Sequence, residues 1–172
     1  MSNGAQKYYG KYRGTVVNNL DPMQIGRLQV IVPDVSNVML SSWAMPCVPV
    51  AGMQTGMFTV PIIGSAVWIE FEQGDPDYAI WVGCFWGTAA EVPALARAVP
   101  PATPAFTLQT PLQNGLVISD VPGPTGGILM KTASGAMISV SDVGINITNG
   151  RGATISMVGN AVDINLGALT VV

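Results

Sequence analysis

Histidine is absent from this chain of 172 residues, and charged side chains are scarce. Without histidine the chain lacks the commonest general base and the residue on which the usual catalytic triads depend. Charged residues make up 10% of the sequence, whereas they make up about a quarter of a typical soluble domain. A soluble monomer normally needs more charge than this to cover its surface. We therefore expect much of the surface to lie against other subunits, and we predict that the protein is not an enzyme.

Long hydrophobic runs and clusters of basic residues are missing as well. Every long apolar stretch is interrupted by Pro or Gly, so none is expected to cross a membrane as a helix. The opening sequence, MSNGAQKYYGKYRG, is polar where a signal peptide requires an apolar core. The seven Lys and Arg residues are scattered and the net charge is −3, so no nucleic-acid partner is expected. No group of Cys and His residues has the spacing of a zinc site, and we expect neither metal nor cofactor.

Two pairs of carboxylates are the remaining candidates for chemistry. Glu70 and Glu72 lie two residues apart on a predicted strand, which is the ordinary pattern of a solvated strand face. Asp75 and Asp77 belong to a Gly-Asp-Pro-Asp turn, where aspartate is a common turn residue. Neither pair is assigned a catalytic or metal-binding role.

The sequence predicts an all-β protein, and its first half contains five short strands bounded by Gly, Pro, Asn and Asp. The predicted strands are 12–19, 26–32, 43–50, 65–72 and 78–86. Val67, Ile69 and Phe71 share one face of the fourth strand. A long connection after the third strand, AGMQTGMFTVPIIG, is typical of a five-stranded Greek-key barrel of the OB type. Cys47 and Cys84 are expected to be buried thiols, and a disulfide would require their two strands to be neighbours.

The domain organisation follows from changes in composition. We predict an OB domain over 1–87, a Pro-rich extended connector over 88–124 with one strand at 115–121, and a strand-rich tail over 125–172. In the tail, apolar residues alternate with Ser, Thr, Asn and Asp, and Gly or Asn supplies the turns. Strand centres recur every seven to nine residues, which indicates one short strand and one tight turn per repeat. The predicted core positions of the tail are Ile138, Val140, Ile145, Ile147, Ile155, Met157, Val162, Ile164 and Leu166.

A single chain cannot bury the apolar face of such a tail, because short strands with two open edges are marginal in water. The tail is also too short for a solenoid of several coils. We therefore expect three identical chains to wind about one axis as an intertwined β-prism. In this arrangement each chain contributes its apolar face to a shared core, and neighbouring chains complete the backbone ladders.

Two groups of residues in this sequence resemble a known family. The first is the pattern Gly-x-Val-x-x-x-x-Asp-Pro-x-x-x-Gly-Arg-x-x-Val over 14–30, and the second is Gly-Asp-Pro followed by Trp-Val-Gly over 74–83. Both resemble the OB domain of contractile-injection spikes, which include phage baseplate protein V, VgrG of type VI secretion and the spikes of extracellular injection systems. GGILMKTASGAMISVSD, at 126–142, is similar to the entry of that family into its triple-stranded β-helix.

The resemblance implies a minimal, non-enzymatic, homotrimeric spike that sits on a separate hub protein. Such a spike would be assembled in the cytoplasm as part of a virion or phage-tail-like particle, transmit contraction force to a target envelope, and not insert stably into a membrane before firing. Met53, Met57 and Phe58, in the long loop, are expected to contact the hub or a neighbouring subunit. Leu169, Val171 and Val172 would form an apolar blunt end that a PAAR-type tip protein, able to carry cargo, could cap. The alternative is a trimeric adhesin or fibre fragment whose OB domain binds a surface ligand.

Overall fold

The computed structural model of the protein describes residues 6–172, so the first five residues of the predicted domain 1–87 lie outside it. The described chain forms two compact units, one ending at Ala89 and the other spanning Ala90–Val172. Both units are mostly β, as predicted. Among the described residues, no helix has both the length and the apolar character needed to cross a membrane.

The first unit is a curled five-stranded half-barrel with an added hairpin. Its sheet has the order β2–β1–β6–β7–β3, and only the pairing of β3 with β7 is parallel. The strands are β1 (Tyr12–Asn18), β2 (Gln29–Ile31), β3 (Met45–Pro46), β4 (Ala51–Gly52), β5 (Thr55–Gly56), β6 (Ala66–Phe71) and β7 (Ala79–Cys84). Helix α1 (Pro33–Ser36) follows β2, and 3-10 turns lie at Glu72–Gly74 and Ala89–Glu91. The predicted OB-like fold is confirmed, and β4 and β5 form a small hairpin within the long loop.

The cross-strand register puts the core residues of the sheet on one of its faces. The alternation predicted for the fourth strand is confirmed, because Val67, Ile69 and Phe71 are buried while the residues between them are only partly buried. At the edge of the core, the indole Nε1–H of Trp81 donates a 3.0 Å hydrogen bond to the carbonyl oxygen of Gly26. The buried core residues are Val16, Leu28, Val30, Val32, Ala44, Val67, Ile69, Phe71, Ala79 and Trp81.

The two cysteines are exposed and free, so the expectation of buried thiols is wrong. β3, which ends just before Cys47, and β7, which ends at Cys84, are neighbours as a disulfide would require, but the two thiols are not bonded. Cys47 lies outside the core because β3 ends at Pro46, and Cys84 is the last residue of β7, where burial declines along the strand.

The second unit is one eight-stranded antiparallel meander, in which consecutive strands pair in sequence order. Its strands are β8 (Ala105–Gln109), β9 (Gly115–Ser119), β10 (Gly127–Lys131), β11 (Met137–Val140), β12 (Ile145–Thr148), β13 (Thr154–Val158), β14 (Ala161–Ile164) and β15 (Leu169–Val171). Helix α2 (Ala94–Arg97) precedes them. The turns use their polar residues as the sequence suggested. At the β12–β13 turn, for example, Oδ1 of Asn149 accepts the backbone N–H groups of Arg151 and Ala153 at 2.8 and 3.1 Å.

The pairing differs from the expected ladders between neighbouring chains. Each of the ladders from β8 to β15 joins consecutive strands of the same chain. The reason is local, since tight Gly- and Asn-containing turns reverse the chain within a few residues and favour antiparallel hairpins. Each strand from β9 to β14 is therefore paired on both sides within the chain, and only the outer edges of β8 and β15 have no neighbouring strand.

The predicted connector contains regular structure that is part of this second unit. The strand predicted at 115–121 is β9, and β8 lies beside it as the first strand of the sheet. Helix α2 packs on these two strands, and the backbone N–H of Leu95 donates to Oε1 of Gln109 at 2.9 Å. A Cβ at Gly115 would lie 2.9 Å from the backbone oxygen of Leu108 in β8 and 2.4 Å from Cδ1 of Leu95, so a side chain there would crowd the neighbouring strand. The boundary between connector and tail stays a prediction.

Candidate interaction surface

The cross-strand register places two side chains of every strand from β8 to β15 on one face of the meander. Because paired residues in adjacent strands point to the same side, two continuous columns run across the sheet. One column is Phe106, Ile118, Ile128, Val140, Ile145, Met157, Val162 and Val171. The other is Leu108, Leu116, Met130, Ile138, Ile147, Ile155, Ile164 and Leu169. All sixteen side chains are apolar, and we call this surface the apolar face.

Within the described chain nothing covers the apolar face. None of its sixteen residues is buried, and its exposed fractions range up to 56% at Val171. Monomeric proteins rarely expose apolar patches this extensive, and a large patch of this kind marks an interaction site. The face therefore requires a partner.

The opposite face of the sheet has a different chemistry. From β11 onward its central column is Ser139, Asn146, Ser156, Asp163 and Thr170, so that side of the sheet is hydrophilic. At the other end of the sheet, Val117 and Ser119 of β9 are 7% and 6% exposed. The segment that contains α2 lies over this part of the sheet, where Leu95 and Val99 line an apolar groove together with Val117. One side of the sheet is thus either polar or covered by its own chain. The other side, the apolar face, is neither polar nor covered.

The dimensions of the meander limit how the apolar face can be covered. Strands of three to five residues span about 10–17 Å at about 3.3 Å per residue. Three copies with the apolar face turned inward would put two side chains per copy, six in all, into each layer of a triangular core. The turns would lie at the corners of the prism, and the unpaired strand edges would occur only at its two ends, β8 and β15. Such an assembly leaves no lateral edge open to aggregation.

Most of the predicted tail residues lie on the apolar face. Eight of the nine predicted core residues are on it, namely Ile138, Val140, Ile145, Ile147, Ile155, Met157, Val162 and Ile164. Leu166 is not, because β14 ends at Ile164 and Leu166 has φ +56° in the following turn, where it is 87% exposed. Of the predicted tip residues, Leu169 and Val171 are on the face in the last strand, and Val172 follows that strand.

The first six residues of the apolar face are not among the predicted core residues: Phe106, Leu108, Leu116, Ile118, Ile128 and Met130. Their alternation was visible in AFTLQ, but in GLVIS and GILMK it is hidden by Val117 and Leu129 on the opposite face. Strands that are apolar on both sides read as continuous hydrophobic runs, which give no period-2 signal. The covered groove beneath α2 is the reason that these two strands are apolar on both sides.

In the first unit, the loop between β1 and β2 is organised by a carboxylate. Asp21 is almost fully buried, and its Oδ1 accepts hydrogen bonds from Nη2 and Nε of Arg27 at 2.6 and 3.0 Å. Its two carboxylate oxygens also accept the backbone N–H groups of Met23, Ile25 and Arg27 at 3.0–3.2 Å. The guanidinium of Arg27 in turn lies 5.3 Å from the centre of the Trp43 ring. The Asp-Pro-x-x-x-Gly-Arg pattern is therefore the internal framework of a loop and not a ligand site.

This arrangement predicts a specific dependence of stability on pH. The hydrogen bond with Arg27, together with the backbone N–H groups, lowers the pKa of Asp21 far below its usual range. A lowered pKa stabilises the folded state above the unfolded-state pKa of about 3.9, and this stabilisation is lost as the pH falls below that value. We expect Asp21→Asn to lower the Tm at pH 7, and the difference from the parent protein to shrink below about pH 4. Thermal melts from pH 7 to pH 2.5 measure this, and a pH-independent difference would contradict it.

The long loop presents the predicted contact residues to solvent. Met53 is at the tip of the β4–β5 hairpin and is 96% exposed, and Phe58, after β5, is 68% exposed. Met57 and Phe58 line an apolar groove of about 640 Å³ beside the hairpin, together with Met45 and Trp81. We call the side chains of Ile25, Met45, Val50, Met53, Met57 and Phe58 the hairpin surface.

One carboxylate of each candidate pair forms an ion pair with a lysine. Glu70 forms an ion pair with Lys11, and Asp75 forms one with Lys7 at 3.4 Å. The backbone N–H of Asp77, and to a lesser extent Lys7, lowers the pKa of Asp75, which is the behaviour of a turn carboxylate. In the part of the chain that the structure describes, no group of three or more His, Cys, Asp or Glu residues could hold a metal ion.

Two family models match the chain, and they divide it as the structure does. Residues 12–86 match the injector OB domain of type VI secretion systems and phage baseplates. Residues 105–170 match the C-terminal trimerisation domain of phage baseplate protein V. The second match begins at the first residue of β8 and ends within β15, so it coincides with the apolar face. No curated protein sequence matches the chain.

Proposed function

Because the chain belongs to the phage baseplate V family, in which an injector OB domain precedes a C-terminal trimerisation domain, we propose that it is the central spike of a contractile injection apparatus. The family is one of structural baseplate components of virions and tail-like particles. The match of residues 105–170 to a trimerisation domain supports the inference that the protein is a homotrimer.

One observation carries the proposal: sixteen apolar side chains form an unbroken face over eight strands, and this face lies within the trimerisation domain. In the proposed assembly each chain supplies one wall of a triangular β-prism. The core residues are the eight predicted ones on the face, joined by the six that precede them in β8–β10. Eight strands spaced about 4.8 Å apart give a shaft about 34 Å long.

The mechanical role follows from the direction of the ladders in this prism. If the three-fold axis runs across the strands, contraction force along the axis presses neighbouring strands together and does not peel them apart. The walls contain short turns and no long loop that could yield first. The shaft would therefore carry the load of sheath contraction to a narrow tip that pierces the target envelope. The function is structural, without catalysis, in a particle assembled in the cytoplasm.

Two further contacts belong to the proposal. Met53, Met57 and Phe58 are proposed to contact the hub protein or a neighbouring subunit. Leu169, Val171 and Val172 of three chains would form an apolar end beneath a PAAR-type tip protein, through which cargo can be carried. The exposure of all three residues supports this second contact, because β15 is an edge strand of the described sheet.

The molar mass of the purified full-length protein, measured by light scattering after size exclusion, tests the proposed assembly. One chain has a mass of 17.9 kDa, and we expect three times this value. A stable monomer would overturn the prism and the spike together.

The tip contact makes a separate prediction. We expect Leu169→Asp to weaken binding of a PAAR-type protein about tenfold or more, because it places a charge in an apolar contact. Thr170→Lys is the control, since it adds a charge to the same strand on the opposite face, where it lies beside the carboxylate of Asp163. The comparison is a binding titration of both trimers with a PAAR protein encoded beside this chain. Equal affinities of the two variants would contradict the contact.

A further inference from the structure

A long part of the OB unit carries no charge. Between Asp34 and Glu70 there is no Asp, Glu, Lys or Arg, a run of 35 residues. The rest of the unit has ordinary ion pairs on its surface, such as those of Lys7 and Lys11. The uncharged run includes five of the six residues of the hairpin surface, and the sixth, Ile25, lies beside them in the wall of the same groove.

The hairpin surface exposes apolar side chains of the kind that are usually covered in an assembly. It combines a protruding apolar tip at Met53 with the groove that Met45, Val50, Met57 and Phe58 line. Each of these five side chains is at least 47% exposed in the single chain. Asp21, in the loop that precedes Ile25, is directed inward to Arg27 and does not add charge to this surface. Glu72 and Asp77 line a second groove, which Met45 borders on its other side.

We infer that the hairpin surface packs against the OB unit of the next copy in the trimer, an inference that rests on the proposed homotrimer. The last strand of the OB sheet ends at Cys84 and the trimerising sheet begins at Ala105. Twenty residues of chain reach at most about 70 Å even when fully extended. Three OB units are thus confined near one another, at an effective concentration on the order of millimolar. At that effective concentration, the exposed apolar surfaces of the three OB units are expected to associate with one another.

The absence of charge favours a copy of this chain over another protein. A contact with a different partner can use complementary charges, which speed association and select the partner. A contact around a three-fold axis joins two different patches of the same chain, so the patch that faces the hairpin surface must be present on this chain as well. The uncharged run also supplies the exposed loop Val38–Leu40, so both sides of such a contact can be free of charge.

Oxidation of methionine by dilute hydrogen peroxide tests the inference with side chains that are already in the protein. The full-length trimer is compared with Ile147→Asp, which is expected to be monomeric, and a free methionyl peptide in each sample calibrates the dose. We expect Met53 and Met57 to be oxidised about fivefold or more slowly in the trimer, in line with burial of their thioethers. Met130 and Met157, on the apolar face, serve as positive controls for protection by assembly.

A second variant makes the test independent of how well the monomer folds. Phe58→Asp leaves the shaft intact and should raise the oxidation rate of Met57 within the trimer, whereas Tyr78→Asp, at an exposed aromatic of another hairpin, should not. Light scattering on the same samples separates the two proposals. Loss of the parent trimer would overturn the proposed function, whereas an intact parent trimer in which Met53 and Met57 oxidise as fast as the free peptide would overturn only this inference.

Discussion

Ile147→Asp is expected to abolish the trimer, giving the mass of a single chain at micromolar concentrations. Ile147 lies in the middle of the apolar face, paired with Ile138 on one side and Ile155 on the other. In the prism the substitution brings three carboxylates into one dry layer. Burying an unpaired charge costs several kcal/mol per ion, so the three together exceed what the remaining layers can offset.

The neighbouring residue provides the matched control for this prediction. Asn146→Asp adds the same charge one position away, on the exposed polar face. It should leave the mass at three chains, and Ile155→Asp with Thr154→Asp should repeat the contrast on the next strand, because Thr154 is on the opposite face from Ile155 and pairs with the uncharged Thr148. If both members of a pair are trimeric, the apolar face is not the assembly surface. If both are monomeric, charge itself, and not its position, controls assembly.

The same pair can be examined in assembled particles. We expect particles that carry Asn146→Asp to show a central spike by negative-stain electron microscopy, and particles that carry Ile147→Asp to lack it. A spike of normal appearance in the Ile147→Asp particles would contradict the proposed shaft even if the isolated protein were monomeric.

The alternating tail was predictable because one of its faces is polar. From β11 onward each apolar residue of the face is flanked by Ser, Asn, Thr or Asp, as in Ile145–Thr148, so a period of two is visible in the sequence. The need for partners followed from the same pattern, since a sheet with one apolar face and no second layer has nothing to pack against. The family match over 105–170 confirms that this region is a trimerisation domain.

The pairing within the chain and the start of the sheet were not predictable in the same way. Alternation states which side chains share a face, but it does not state whether the next strand of the ladder comes from the same chain. In β9 and β10 the second face is covered by the segment around Leu95, so the alternation disappears from the sequence. Leu166 fitted the period of two and still fell in a turn, because positive φ values at Asn165 and Leu166 end the strand two residues earlier.

In the OB unit, the sequence indicated where the strands lie better than it indicated what the exposed residues do. The buried positions of β6 followed from alternation alone. The role of Asp21 did not, because a carboxylate that binds its own loop and one that binds a ligand look the same in a sequence. Only the converging donors of Arg27 and the backbone distinguish the two.

Ile69→Ala is expected to unfold the OB unit at a temperature lower by about 10 °C or more while the trimerising sheet melts as before. Ile69 is fully buried, and its Cγ1 lies 2.9 Å from the position a Cβ would take at Gly14, so the strands around it are closely packed. Removing three buried carbon atoms from such a site costs about 2–5 kcal/mol. In a unit of this size each kcal/mol shifts Tm by about 4–8 °C.

Comparison of Ile69→Ala with Ile69→Val tests whether the loss of stability comes from the packing of the side chain. Valine keeps the branched Cβ and should cost only about 0.5–1.5 kcal/mol. Differential scanning calorimetry of the full-length trimer is the measurement, because the two compact units of the chain are expected to give two transitions. A loss that moves both transitions together would mean that the units unfold cooperatively, and equal losses for alanine and valine would mean that Ile69 does not fill the core. If only the first transition is lowered, the mass is measured at a temperature between the two transitions, where the OB units are unfolded. A mass of three chains at that temperature would mean that the apolar face alone is enough to hold the trimer together.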